Sequence, residues 1–198
     1  KYKIKDHHYL GERLSVEEIM VKSSNIGTAK LAAMVGAERQ RDFLKKLGLL
    51  DLTQIELPEA SRAKPQIPKK WSKLSTATIS YGHGISVSPL HLAIGYSTLV
   101  NGGKRIFPTL LKRSQKNLEH ESVISSETSV KLQNILRNVV ESGTARNASL
   151  EDYSIGGKTG TADKVNFDGP GYHDDKVITT FVATFPMQQP RYVLVVTL

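Results

Sequence analysis

Lys158 lies in a run of small residues, Gly156-Gly157-Lys158-Thr159-Gly160-Thr161-Ala162, whose types and order could do chemistry. Glycine within a strand lets a ligand or another backbone come close. A lysine holds an anion, and Thr159 and Thr161, two positions apart, fall on one face of a strand. Together they suit a ligand with a carboxylate and a reactive carbonyl. Two plainer readings compete. A phosphate-binding loop also ends in Gly-Lys-Thr, but it needs a glycine five positions before Gly157, where Asp152 stands with the wrong charge. An ordinary Gly-rich turn ahead of a strand is the commoner meaning of an isolated Lys-Thr-Gly.

A second motif changes that balance. Ser23-Ser24-Asn25 stands 135 positions before Lys158, and Ser-x-Asn followed much later by Lys-Thr-Gly is the pairing used by penicillin-binding proteins and their β-lactamase relatives. The sequence resembles the transpeptidase domain of a class B penicillin-binding protein, most closely the septal, division-specific kind. Tyr2-Lys3-Ile4-Lys5-Asp6, Lys22 to Gly27, Tyr81-Gly82-His83-Gly84 through Ser88-Pro89-Leu90, and Gly156 to Ala162 carry the resemblance, which extends over nearly the whole chain.

The resemblance implies an α+β fold, an antiparallel sheet flanked by helices, with residues 1–198 forming the C-terminal portion of one transpeptidase domain, truncated at both ends. It implies acyl transfer: a serine upstream of this chain attacks the D-Ala-D-Ala carbonyl of a cell-wall stem peptide, and the acyl group passes to an amine on a neighbouring strand. Ser23 would relay a proton, Asn25 would position substrate and lysine, and Lys158 would hold the substrate carboxylate. Ser24, Thr159, Gly160 and Thr161 would contact substrate or β-lactam, and the backbone N–H of Thr161 would serve the oxyanion hole. No metal or organic cofactor is implied. The implied partners are the stem peptide, β-lactam antibiotics, divisome membrane proteins and the upstream segment, at the periplasmic face of the cytoplasmic membrane with an upstream anchor. A serine β-lactamase or D,D-carboxypeptidase on the same fold is the alternative enzyme. A β-lactam sensor or a non-catalytic divisome scaffold is the alternative outside enzymes.

Composition narrows the field. At 198 residues and 39% hydrophobic composition the chain suits one domain with a buried core. Lys and Arg outnumber acids 27 to 19, for a net charge of +8, but the basic residues are scattered and no nucleic-acid motif accompanies them, so nucleic acid is not an expected partner. The lack of cysteine excludes disulfides and thiolate chemistry. No apolar run approaches the length of a membrane span.

The elements that must position the two motifs follow from local patterns. Ser15-Val16-Glu17-Glu18 is a capping box opening a helix to about Lys22. Ser23 and Asn25 interrupt it, and Ile26, Ala29 and Ala33 resume helical spacing until Gly36. The Ser-Ser-Asn motif therefore lies at a helix junction, where Ser24 or Asn25 can equally act as a plain N-cap. Ala37 to Leu47 reads as a third helix, and residues 49 to 76 as a proline-rich irregular excursion anchored by a buried Trp71.

Inside that excursion Ser61-Arg62-Ala63-Lys64 matches the Ser-x-x-Lys pattern of the family's nucleophile. It is rejected because Pro65 disfavours helix at Lys64, because the pair needs a helical turn to meet, and because the family places this motif before Ser-x-Asn. Ser88-Pro89 opens the next helix. His83 and His91 are expected to be structural. An amphipathic helix starts at Ser126, with Leu132, Ile135, Leu136, Val139 and Val140 as its stripe. Three strands close the chain, at about 154–163, 177–185 and 191–198, the last two antiparallel because Pro186 to Pro190 is too short for a crossover. Residues 164–176 read as a long loop beside the motif.

Overall fold

The computed structural model describes residues 3–112, 121–166, 169 and 171–198. Three helices open the chain: α1 (Val16–Val21), α2 (Asn25–Val35) and α3 (Ala37–Lys46). The capping box at the head of α1 is formed as expected, with Ser15 Oγ accepting from the Glu18 N–H and Glu18 accepting from the Ser15 N–H at 2.9 Å. Helix α4 (Lys73–Ser80) comes next, then α5 (Pro89–Val100) and the amphipathic α6 (Ser126–Glu141). Strands β1 (Gly156–Val165), β2 (Tyr172–Phe185) and β3 (Tyr192–Thr197) form one antiparallel sheet in the order β1-β2-β3. The α+β architecture is thus the expected one.

The expectations fail in three places. Residues 73–76 belong to α4 rather than to an irregular excursion. Lys73 to Ser80 is rich in Ser and Thr, which form helix poorly, and the helix stands because Ser72 caps it through the Ser75 N–H at 3.1 Å and because Thr76 and Ile79 are buried against α2. Trp71 is only half-buried, and it anchors the excursion through its indole N–H, which donates to Gln40 Oε1 at 3.0 Å. Finally, β2 begins at Tyr172, which pairs with Val165, so residues 172–176 of the expected loop are strand. Of its Asp168-Gly169-Pro170-Gly171 tract, residues 168 and 170 lie outside the described residues. Asp175, Lys176 and Val177 are all exposed, so this part of β2 carries no in-and-out hydrophobic alternation for a sequence reading to detect.

The core lies between the sheet, α5 and α6. Val100, Leu136 and Met187 are each at least nine-tenths buried, with Tyr96 against them. Nearer the motif strand Val139, Val140 and Ala145 are buried against Val21, Ile155 and Phe181. Burying the valines Val139 and Val140 stabilises by about 1.5–3 kcal/mol each, so β1 is clamped by the same stripe of α6 that its periodicity announced. Arg137 of α6 adds a hydrogen bond from Nη1 to the Ile155 carbonyl at 2.9 Å, just ahead of β1.

Candidate active site

The two motifs meet. Lys158 on β1 donates from Nζ to Ser23 Oγ, between α1 and α2, and also to the Thr159 carbonyl at 3.1 Å. Burial pushes the Lys158 ammonium down to about 8, since desolvation disfavours its charged form.

Ser23 owes its position to the way α1 stops. The Ser24 N–H donates to the Ile19 carbonyl at 2.9 Å and the Ser23 N–H to the Met20 carbonyl at 3.3 Å. This is the paired closure of a Schellman motif, in which the residue after the helix cap takes a left-handed backbone and is usually glycine. Here that residue is Ser23, at φ 54°, the one non-glycine positive φ among the described residues. A side chain in that region costs roughly 1–2 kcal/mol. The backbone therefore favours glycine at this position, and the serine there supplies the hydroxyl facing Lys158.

The next residue starts the next helix. Ser24 caps α2, accepting from the Gly27 N–H at 2.9 Å and donating its own proton to Asp6 Oδ2 at 3.0 Å. Ser24 is 2% exposed. Its hydroxyl is committed to the protein in both directions, as the capping reading for Ser24 has it. Asn25 is the first residue of α2, and its amide donates to the Lys5 carbonyl at 3.1 Å.

On the strand, Thr159 and Thr161 share a face as their spacing requires, and Thr159 Oγ1 lies 2.8 Å from Thr144 Oγ1. Thr161 and Gly160 are exposed. Thr179 exchanges both backbone hydrogen bonds with Leu198, at 3.0 and 2.9 Å. Odd-numbered residues of β2 thus bond to β3 and even-numbered ones to β1. Thr180 and Val182 face Gly160 and Lys158. It follows that Thr159 and Thr161 aim their N–H and C=O groups away from β2, at the outer edge of β1, which pairs with no strand among the described residues.

The glycines of the motif do different work. A Cβ on Gly156 would come within 2.6 Å of Met187 Sδ and 3.1 Å of the Arg137 nitrogen, and one on Gly157 within 2.7 Å of the Phe181 ring. These two are glycine for internal packing. A Cβ on Gly160 would meet nothing closer than the Thr180 oxygen at 3.9 Å, which leaves Gly160 as the position open to an approaching ligand.

Other candidates engage other partners. His91 is fully buried and structural, as expected: its Nδ1 lies 2.7 Å from Ser88 Oγ at the head of α5, and its Nε2 lies 2.9 Å from the Asp51 carbonyl oxygen. His83 packs between Tyr81 and Tyr172, with Nε2 3.7 Å from Asp163 Oδ2. Ser61 sits in an exposed 3₁₀ turn, Pro58–Arg62, and donates to the Pro58 carbonyl at 2.8 Å. Among the described residues no cluster of His, Asp or Glu could hold a metal ion, and no helix is long and apolar enough to cross a membrane. Asp6 lies in a stretch that carries the resemblance, but no residue pattern assigned Asp6 or Thr144 a partner, because each meets its motif residue across 18 and 15 positions respectively.

A half-buried lysine on an edge strand of small residues thus meets a serine held in a left-handed turn at a helix junction. The chain belongs to the penicillin-binding protein transpeptidase domain family, which it matches over residues 1–198. It is 37% identical over 192 residues to the probable peptidoglycan D,D-transpeptidase FtsI of Caulobacter vibrioides, covering 94% of this chain and 32% of that protein. It is also 37% identical to penicillin-binding protein PbpB of Mycolicibacterium smegmatis, covering 87% of this chain and 29% of that one. Among solved structures, the TP domain of Burkholderia pseudomallei penicillin-binding protein 3 superposes with a TM-score of 0.85 at 34% identity, over 93% of this chain and 56% of that one. Penicillin-binding protein 3 of Mycobacterium tuberculosis complexed with ampicillin also gives 0.85, at 30% identity over 93% of this chain and 44% of that one. The chain spans about a third of the length of these curated relatives.

Proposed function

We propose that this chain is the carboxylate-anchoring, proton-relaying part of a septal peptidoglycan D,D-transpeptidase that β-lactams inhibit. The observation that carries this reading is the hydrogen bond from Lys158 to Ser23, which joins two family motifs across 135 residues. In the proposed reaction a serine on a segment upstream attacks the D-Ala-D-Ala carbonyl. The new C–O bond forms as the C–N bond breaks, and the amine of D-alanine leaves with a proton passed through Ser23, whose hydroxyl both donates and accepts. The acyl group then passes to an amine of a neighbouring stem peptide.

Lys158 attracts the substrate carboxylate. At about 4 Å and an effective dielectric near 20 the attraction is on the order of 4 kcal/mol before desolvation. The Thr159 and Thr161 hydroxyls bind the same carboxylate, and Asn25 aligns the substrate amide. The outward N–H of Thr161 is the second oxyanion donor, a kind of group worth roughly 10²- to 10³-fold in rate. Divisome membrane proteins are the proposed partners, at the periplasmic face of the cytoplasmic membrane, with an anchor supplied by the longer protein.

The test is covalent labelling with a fluorescent penicillin. The present chain stays unlabelled, because a pocket that positions an acyl group cannot replace an activated nucleophile. Supplying the upstream segment that carries Ser-x-x-Lys, in one polypeptide or as a complementing fragment, restores labelling, and the adduct maps to that segment. A stoichiometric adduct on Ser61 or Ser23 of the isolated chain overturns the division of roles.

A further inference from the structure

Ser23 is pinned from its N-terminal side by the closure of α1, and the structure shows equally what pins the other side. Asp6 lies 18 residues before Ser24 in sequence, yet its carboxylate accepts from Ser24 Oγ at 3.0 Å and from the Ile26 N–H at 3.0 Å. Its neighbour Lys5 accepts the Asn25 amide through its carbonyl at 3.1 Å. Residues 5 and 6 thus lie as a strap across all three positions that follow Ser23. The carboxylate also sits at the N-terminus of the eleven-residue α2, where negative charge is favoured.

We propose that Asp6 is a positioning residue of the active site, which holds Ser23 against Lys158 by fixing the start of α2. This rests on the role proposed above for Ser23 and Lys158. The physical reason is the left-handed backbone at Ser23. A strained residue persists only where its surroundings over-determine it, and α1 constrains just one side. Without Asp6, Ser24 loses the acceptor for its proton and Ile26 loses a partner for one of the N–H groups that a helix start leaves unpaired. The junction can then relax towards an ordinary turn, drawing Ser23 Oγ off Lys158. A misplacement of about 1 Å can cost on the order of 10²-fold in rate.

The experiment uses the full-length protein and the second-order rate of acylation by a fluorescent penicillin, measured for Asp6→Ala, Asp6→Asn, Ser23→Ala and the two Asp6/Ser23 double variants, with Lys158→Ala as control. Asp6→Ala is expected to slow acylation about 10- to 100-fold. Asp6→Asn, whose carbonyl still accepts from Ile26, is expected to recover a substantial part of that loss. In the Ser23→Ala background the Asp6 substitutions should add less than about twofold, because a residue that acts through Ser23 has nothing left to position.

Wild-type acylation in Asp6→Ala overturns the proposal. So does an Asp6 effect that persists undiminished without Ser23, since that marks Asp6 as a general support of the fold. If Asp6→Ala fails to fold, the Asp6→Asn cycle decides by the same criterion. Should Lys158→Ala also acylate at the wild-type rate, it is the functional reading beneath that fails; a crippled Lys158→Ala beside a wild-type Asp6→Ala removes the strap alone.

Discussion

Two serines in this molecule stand in motifs of the penicillin-binding family, and only one of them meets a second such motif. Ser61 stands in Ser-x-x-Lys, yet it lies in an exposed turn, spends its proton on the carbonyl three residues back, and is followed at Ala63 by a non-helical backbone that cannot bring Lys64 round to it. Ser23 stands in Ser-x-Asn between two helices. It is held by the stop of one and the start of the other, and meets a lysine 135 residues away. The difference teaches that the motif string is not the determinant. The serine to which a role is proposed is the one whose backbone is fixed at a cost in conformational energy and whose partner arrives from another element.

The largest effect expected to sharpen this contrast comes from removing the partner. In the full-length protein Lys158→Ala should lower the penicillin acylation rate by about two orders of magnitude or more, because a preorganised charge is lost, while circular dichroism shows the fold in place. Acylation at the wild-type rate would erase the distinction between the two serines. Next in size is Ser23→Gly. Glycine takes the left-handed conformation freely, so urea unfolding should show equal or higher stability, by up to about 1 kcal/mol, while acylation falls about 10- to 100-fold. A loss of stability would mean that Ser23 is not strained.

A smaller effect follows from the burial of Lys158. Its ammonium titrates near 8, below the ordinary lysine value of 10.5, so charge that attracts the carboxylate is present below about pH 8 and fades above it. The kcat/KM for acylation, which reports the free enzyme, should fall up to about tenfold per pH unit on the alkaline side of 8. The sign is opposite for stability. Unfolding restores the higher lysine value, so the unfolded chain binds more protons between about pH 8 and 10.5, and this lysine's contribution to stability rises with pH across that window. Comparison with Lys158→Met isolates both limbs. The smallest effect belongs to the other serine: Ser61→Ala should leave acylation unchanged and stability within about 0.5 kcal/mol.

Much of the scaffold was legible from local pattern. Ser15 and Glu18 announced a helix start, Ser88-Pro89 another, and the stripe from Leu132 to Val140 announced the helix that clamps the motif strand, because capping and periodicity are interactions between residues a few positions apart. Helix α4 was not legible, since its Ser- and Thr-rich turns depend on burial against α2. The paired length of β1 and β2 was hidden for a related reason, as Asp175 to Val177 face solvent and show no alternation.

The site divides along the same line. By itself the sequence determined which groups are available: a lysine flanked by hydroxyls and glycines on a strand, and a serine and asparagine at a helix junction. It could also reject Ser61 through Pro65. Only the tertiary structure decided that Ser24 is a cap committed to Asp6, that Gly156 and Gly157 serve packing while Gly160 stays open, and that Ser23 bears the left-handed strain. The Asp6 contact and the crowding of Gly156 and Gly157 join segments distant in sequence, and the backbone at Ser23 runs against the glycine preference of its position. A chain's local pattern fixes what a residue can donate or accept, and the packing of remote segments fixes which partner it meets and how much solvent remains around it.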